Sequence, residues 1–511
     1  MTADTAVPKK TALDKDLKKI VRLEKATRAA GRRASKLGIG LLFLLGVLVY
    51  VAITSGGIEG GVYVIIAGVI GGYMALNIGA NDVANNMGPS VGAKALTLMG
   101  ALVIAAVFEA MGAIVAGGDV VKTISKGIID PDAVPTATVF IWAMLSALLA
   151  AAVWVNLATY LNAPVSTTHA IVGGVMGGGI AAASWSAVNW PVMGKIAASW
   201  VISPILGGVI AALFLIAIKK LVIYRVDKIE ASKTWVPIFV GIMAAAFSVY
   251  LVMKGLKHVW KPDTLTLTAI GIGAFAVTVG IVRHYVAGAA GQLENRRKSV
   301  GKLFTIPLIC SAALLSFAHG ANDVANAVGP LAAVVGAVET GGVQAKVTVP
   351  IWILVIGAFG ISAGLGLFGP KLIRTVGEQI TRLDPVRAFA VALSAAITVI
   401  IASALGLPVS STHIAVGAVF GVGFLREFLT NRQRLGSLVA AVPSVSAAPG
   451  GGDPGREADA RRARALKKAR KRRLVRRTHV YSIVAAWIVT VPCAALIAAA
   501  LFFFIRGVML P

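Results

Sequence analysis

The chain has 511 residues, of which 57% are hydrophobic and only 14% charged. That balance excludes a soluble globular protein. At least ten apolar runs reach the roughly 20 residues that a helix needs to cross a bilayer, so the class is a polytopic all-α membrane protein.

The formal net charge of +27 does not point to nucleic acid. Most of it lies at 9–36 and 426–477, each beside an apolar span, as expected of positive-inside segments near anionic lipid. No aromatic residues interleave these runs as a nucleic-acid surface would require. Cys310 and Cys493 each sit inside an apolar span, with no metal spacing or disulfide framework. About 38 polar residues precede the first apolar run, too many for a signal-peptide n-region.

In chain order, 1–37 reads as a basic cytoplasmic tail with no core to pack on. A first transmembrane repeat follows at 38–218, with candidate spans near 39–55, 61–80, 95–117, 137–160, 164–183 and 194–218. Two spans within 219–300, near 235–254 and 264–282, carry no motif and read as a linker pair. The second repeat, 301–424, has spans near 303–325, 349–369, 386–405 and 408–424. Residues 425–479 read as a basic, flexible cytoplasmic loop rich in Pro, Ser and Gly at its centre. The last span lies in 480–511.

The repeats are visible in the motifs. Residues 79–85 read Gly-Ala-Asn-Asp-Val-Ala-Asn and return unchanged at 320–326, 241 positions later. Each copy is followed by a second motif, Pro-Val-Ser-Thr-Thr-His at 164–169 and Pro-Val-Ser-Ser-Thr-His at 408–413. With the N-terminus inside and every apolar run counted as one crossing, the basic connections fall in the cytoplasm and the acidic one at 119–132 outside. The two copies then face opposite sides. This is the inverted-repeat layout of secondary transporters, whose site lies between the halves near the bilayer midplane. About 12 transmembrane segments with broken helices or re-entrant hairpins are expected.

A carboxylate on a membrane span costs roughly 2.5 kcal/mol or more at the centre, so Asp82 and Asp323 need partners or a wet cavity. Asn81, Asn85, Asn322 and Asn326 flank them with amide groups. Gly79 and Gly320, with Pro89 and Pro330 nearby, permit helix breaks that would free carbonyl oxygens. Carboxylate, amide and carbonyl oxygens form a hard-cation ligand set suited to sodium or to a proton carrier. The second motif offers the opposite polarity: a proline that can start a helix, then hydroxyls and free N–H groups at a positive helix end. Ser166, Thr167 and Thr168, with Ser410, Ser411 and Thr412, are therefore candidate oxyanion ligands, although a single such start is also an ordinary helix cap. Neither motif contains Arg or Lys, and the nearest, Lys94, has Val335 as its counterpart. Two acids without a fixed cation would repel an oxyanion, so the reading is cation-coupled symport. Glu109 lies in the third span as a coupling or gating carboxylate, or as a group bonded to a neighbouring helix. His169 and His413 read as helix-positioning residues, with a proton role as the alternative.

At 79–85, 164–169, 317–330 and 406–413 the sequence resembles the PiT-type inorganic phosphate transporter family. The resemblance implies uptake of inorganic phosphate coupled to sodium or protons, two inverted halves, a cell-membrane location and a homodimer. It further implies that Asp82, Asp323 and their asparagines belong to the cation and phosphate site, with Asn81 and Asn322 beside phosphate and Asn85 and Asn326 beside the cation. The hydroxyls of both motifs would hold phosphate, and Glu109 matches a glutamate that matters in some members. Some members also carry a glutamate where this chain has Ala392. No cofactor beyond the coupling ion is expected, nor enzymatic activity. The alternatives are a sulfate or metal–phosphate permease of the same shape, or a transport-dead receptor or scaffold using the basic loop.

Overall fold

The computed structural model of the chain describes residues 12–161, 165–257, 260–342, 349–379, 383–440 and 477–509. These are helical almost throughout, with one isolated β-bridge, between Ile129 and Val188. In the first part run α1 (Ala12–Ser55), α2 (Gly61–Asn81), α3 (Val83–Gly92), α4 (Leu98–Ala116), the short α5 (Gly118–Lys122), α6 (Ala137–Tyr160), α7 (Thr167–Ala182) and α8 (Trp190–Ile218). The linker pair is α9 (Lys228–Gly255) and α10 (Thr264–Ala290). Then come α11 (Arg297–Leu303), α12 (Thr305–Thr340), α13 (Ile351–Gln379), α14 (Pro385–Ala404), α15 (Ser411–Ala440) and α16 (Arg477–Met509). Side-chain oxygens fix several starts: Thr97 caps α4, Thr136 caps α6 and Asp227 caps α9.

Twelve helical stretches among the described residues are long and apolar enough to cross a membrane, so the chain is a multi-pass membrane protein. The stretch read as a span at 164–183 is not among them. Its helix α7 has 16 residues, ~24 Å against the ~30 Å of a hydrocarbon core. Burial ranks the helices: 94% of the most apolar window of α12 is covered by protein, but only 6% of that of α10. The helix carrying Asp323 is therefore the axis of the fold, and the linker pair lies outside it.

Two boundaries differ from the sequence reading. The basic tail is not a separate unit, because α1 runs from Ala12 to Ser55 without interruption. Its Ala, Lys, Arg, Glu and Leu are all good helix formers and nothing among them ends the helix. At the other end, α15 continues to Ala440, so the basic loop begins later than residue 425; residues 441–476 lie outside those described.

The expected breaks at the glycines also move. In the second copy α12 passes through Gly320 and Pro330 unbroken, and in the first the interruption falls at Asp82, between α2 and α3. The glycines serve contact instead. A methyl group at Gly320 would overlap the Glu109 backbone, and one at Gly112 the carbonyl of Phe317, so α12 and α4 meet backbone to backbone. Gly79 and Gly364 do the same for α2 and α13, against Ile361 and Leu76. In lipid no hydrophobic drive holds helices together, and such small-residue contacts are what bring them close. The genuine discontinuities lie at the hydroxyl motifs, where α6 turns into α7 and α14 into α15.

Gly320→Ala is expected to force α12 from α4 and to lower stability by about 1–3 kcal/mol, the usual cost of overpacking. Thermal unfolding of the purified protein in detergent checks this. An unchanged midpoint would mean that the close contact is not needed.

Candidate functional site

Asp82 sits at the α2–α3 junction and Asp323 midway along α12, each only 1% exposed. The starts of α7 and α15 converge on them. Ser166 precedes α7 in extended conformation, and its hydroxyl accepts from the His169 N–H at 3.1 Å. Ser410 does the same for α15, accepting from the His413 N–H at 3.3 Å. These two serines are caps, the ordinary use of such a residue. Pro164 lies outside the described residues, and Pro408 precedes α15 rather than opening it.

The other hydroxyls reach the acids. Thr167 donates to Asp82 Oδ2 at 2.6 Å and Thr412 to Asp82 Oδ1 at 3.1 Å, so one carboxylate is held by both motifs. Ser411 donates to Asp323 Oδ2 at 3.0 Å. The asparagines cross between the halves. Asn85 donates to Thr412 Oγ1 at 2.9 Å, whereas Asn326 donates to Thr167 and Thr168 at 3.2 and 3.1 Å. The Thr168 hydroxyl donates in turn to the Val409 carbonyl, 3.0 Å away. All these residues are buried, so charge and hydrogen bonds act here with little screening.

Asn81 and Asn322 do something else. Asn81 donates to Thr159 in α6 at 2.9 Å. Asn322 donates to Ser403 and to the Leu407 carbonyl, and accepts from the Val409 N–H. Each therefore ties an aspartate motif to the chain leading into its own hydroxyl motif. The exposed Lys94 lies beyond the end of α3.

The expectation of acids without a basic neighbour requires correction. His319, one turn before Asp323 on α12, places Nε2 2.9 Å from Asp323 Oδ2 and Nδ1 3.1 Å from Glu109 Oε1. Glu109 also accepts from Asn86 Nδ2 at 3.1 Å, so it bonds to two neighbouring helices rather than standing alone. A neutral imidazole brings one proton to two carboxylates, and the facing atoms call for a second. With that second proton present, Glu109, His319 and Asp323 would together carry one negative charge. With an ionised Asp82 the net charge is about −2, offset in part by roughly half a positive charge at each of the two helix starts.

Not every oxygen is satisfied. Asp323 Oδ1 and Asn326 Oδ1 are both buried without a hydrogen-bond partner among the described residues. One ligand atom from each of Asp82, His319 and Asp323 lies within 4.8 Å of the others. Carboxylate oxygens and unpartnered acceptors gathered in this way could hold a cation.

A brace surrounds this centre. Gly406, at φ +68, makes the left-handed turn into the second hydroxyl motif, a conformation that suits glycine. Its carbonyl accepts from Thr123 at 2.7 Å, and Lys254 of α9 donates to the nearby Ala404 carbonyl at 2.8 Å. Lys254 and Lys257 both grip Asp119, at 2.8 and 2.6 Å. The linker pair, which carries no sequence motif, thereby fixes the approach to Ser410.

The family model described as the phosphate transporter family matches residues 78–498, a stretch that contains all four motifs. The chain belongs to that family. It is 46% identical to a protein of Helicobacter pylori strain J99 named "Putative phosphate permease", over 95% of this chain and 98% of the relative. A relative of the same name in Thermococcus kodakarensis is 40% identical over 71% of this chain and 89% of its own length. Among solved structures, one titled "The sodium-dependent phosphate transporter" superposes with a TM-score of 0.74 at 36% identity. That match covers 88% of this chain and the whole of the other.

The Asp119 brace has a pH signature. Partial burial raises its carboxyl, but the hydrogen bonds and charge of Lys254 and Lys257 outweigh that and hold it at about 2, against an ordinary 3.8. A lowered folded-state value means the contribution is complete above the ordinary value and is lost as pH falls through the folded one. The midpoint gap between the natural protein and Asp119→Asn is thus expected to stay constant from neutrality down to about pH 4, then close toward pH 2. A gap that closes near neutrality would contradict the ion pairing.

Proposed function

We propose that this family member imports inorganic phosphate across the cell membrane by symport with sodium. The supporting observation is that Thr167, Ser411 and Thr412 each donate to Asp82 or Asp323. A hydroxyl has one hydrogen to donate, so these groups cannot serve the carboxylates and a phosphate together. Sodium held by Asp82 and Asp323, with the amide oxygens of Asn85 and Asn326, supplies the missing positive charge. It thereby releases the three hydroxyls. Phosphate then binds to them at the positive ends of α7 and α15, as oxyanions do at helix starts. Asn81 and Asn322 keep the two hydroxyl motifs in register, and Glu109 holds His319.

In this reading the halves 38–218 and 301–424 are inverted repeats that rock about the fixed site, with 219–300 as linker. With the short α7 counted as a crossing beside the twelve longer stretches, the N-terminus and the basic region after α15 both face the cytoplasm, and two copies form the assembly. The sodium-dependent title of the solved relative favours sodium. Proton coupling is the second reading, because His319 between Glu109 and Asp323 is a ready proton carrier.

Labelled phosphate uptake into proteoliposomes separates these readings. Replacing external sodium with choline at fixed pH is expected to cut uptake at least about tenfold, the low end of what losing a site partner costs. Uptake that survives in choline and follows an imposed pH gradient would transfer the coupling to protons. Asp82→Asn and Asp323→Asn should abolish uptake while the protein still inserts; unchanged rates would favour the scaffold reading. Excess sulfate should leave the rate intact, and inhibition equal to that by unlabelled phosphate would overturn the phosphate assignment.

A further inference from the structure

A large cavity lies away from the acids. It is an apolar cleft of about 1210 Å³ between α8, α15 and α16, with His169 at its inner end. Its walls include Val209, Phe420, Phe428 and Val484, and among the described residues that line it only His169 and Trp200 have side chains with polar atoms. Trp200 is satisfied, since its Nε1 donates to the Pro408 carbonyl at 3.2 Å. The cleft runs along the helices rather than across them. On α15 it extends from Val416 to Phe428, ~18 Å of helix, close to the ~15 Å of one bilayer leaflet.

One end of the cleft is basic. Lys219, directly after α8, lies close enough to Arg297, Arg387 and Arg426 to feel their positive charge, which Asp384 offsets in part. Asp384 is shared between Arg297 at 3.4 Å and Arg387 at 3.5 Å. Arg426 adjoins Leu425, which lines the cleft, and the exposed Arg432 stands one turn beyond Phe428. Excess positive charge at one end and a leaflet-long apolar channel behind it match a molecule with an anionic head and a long hydrocarbon tail.

We propose that this cleft is a binding site for an anionic glycerophospholipid, with its phosphate on Lys219 and Arg426 and one acyl chain between α8, α15 and α16. A second copy of the chain fits less well. Two copies paired through this face about an axis normal to the membrane would bring two basic clusters into the same leaflet. The site has a route to the centre. The His169 ring lies tilted 3.9 Å from that of Trp200 and meets that of His413 edge-on at 4.5 Å, and these histidines follow Thr168 and Thr412 directly. A chain seated in the cleft therefore presses on the shared base of the two helix starts.

Quenching of Trp200 fluorescence by brominated lipid tests this binding without using transport, so it stands or falls separately from the symport reading. The protein is placed in nanodiscs containing brominated phosphatidylglycerol or brominated phosphatidylcholine. The Trp200 signal is the difference from Trp200→Phe, and native mass spectrometry counts the lipid retained if that variant misfolds. Phosphatidylglycerol is expected to quench at a mole fraction about fivefold lower, with Arg426→Gln removing that preference. Val209→Phe, which fills the cleft, should reduce both quenching and retained lipid. Equal quenching by the two lipids, with no phosphatidylglycerol retained, would overturn the proposal. So would a disulfide between copies of a Val209→Cys chain in which Cys310 and Cys493 are serine, because a second chain would then occupy the cleft.

Discussion

A hydroxyl group has a single hydrogen, and in this protein three of them are already committed. Thr167, Ser411 and Thr412 donate to two carboxylates that sit in the most enclosed part of the fold. Leaving those carboxylates unbonded at this depth would cost several kcal/mol, so the hydroxyls are not free to turn elsewhere until something else compensates the charge. Under the proposed symport this constraint links cation and anion without a long-range signal, because carboxylates and phosphate compete for the same three hydrogens and a cation on the carboxylates releases them.

The arrangement depends on close helix packing. Glycine contacts between α12 and α4, and between α2 and α13, bring backbones together so that both aspartates reach the two interrupted helices. The helix starts aim their positive ends at the acids, and the crossing bonds of Asn85 and Asn326 join each half to the hydroxyl motif of the other. Neither half completes the centre by itself. The linker contributes from outside through Lys254 near the end of α9, which holds the Ala404 carbonyl and Asp119, and through Lys257 just beyond that helix, which also holds Asp119.

Much of this was legible in the chain. Duplication marked Asp82, Asp323 and the hydroxyl motifs, and apolar run lengths marked the spans. The same reliance on duplication hid what occurs once. His319 aligns with Ile78 and Asn86 with Ala327, so neither stands out as a repeated feature. The signal for His319 was nonetheless present, since a histidine four residues before a buried aspartate on a helix shares its face. Partners distant in sequence were beyond reach: nothing in the sequence pairs Asp119 with Lys254, because that contact depends on where α9 packs. A glycine in a membrane helix suits either a break or a close contact, and at Gly79 and Gly320 the neighbouring helix, not the local sequence, decides for contact. The serines of the hydroxyl motifs turned out to cap, leaving the residues after them to meet the acids.

Equilibrium binding of labelled phosphate to the purified protein tests the proposed order, cation before phosphate, without any membrane gradient. With sodium present, phosphate should bind saturably; with choline in its place, binding should be lost, while sodium alone should still shift the unfolding midpoint. Phosphate binding of equal strength in choline would contradict the account, since the hydroxyls would then be available while the carboxylates remain uncompensated.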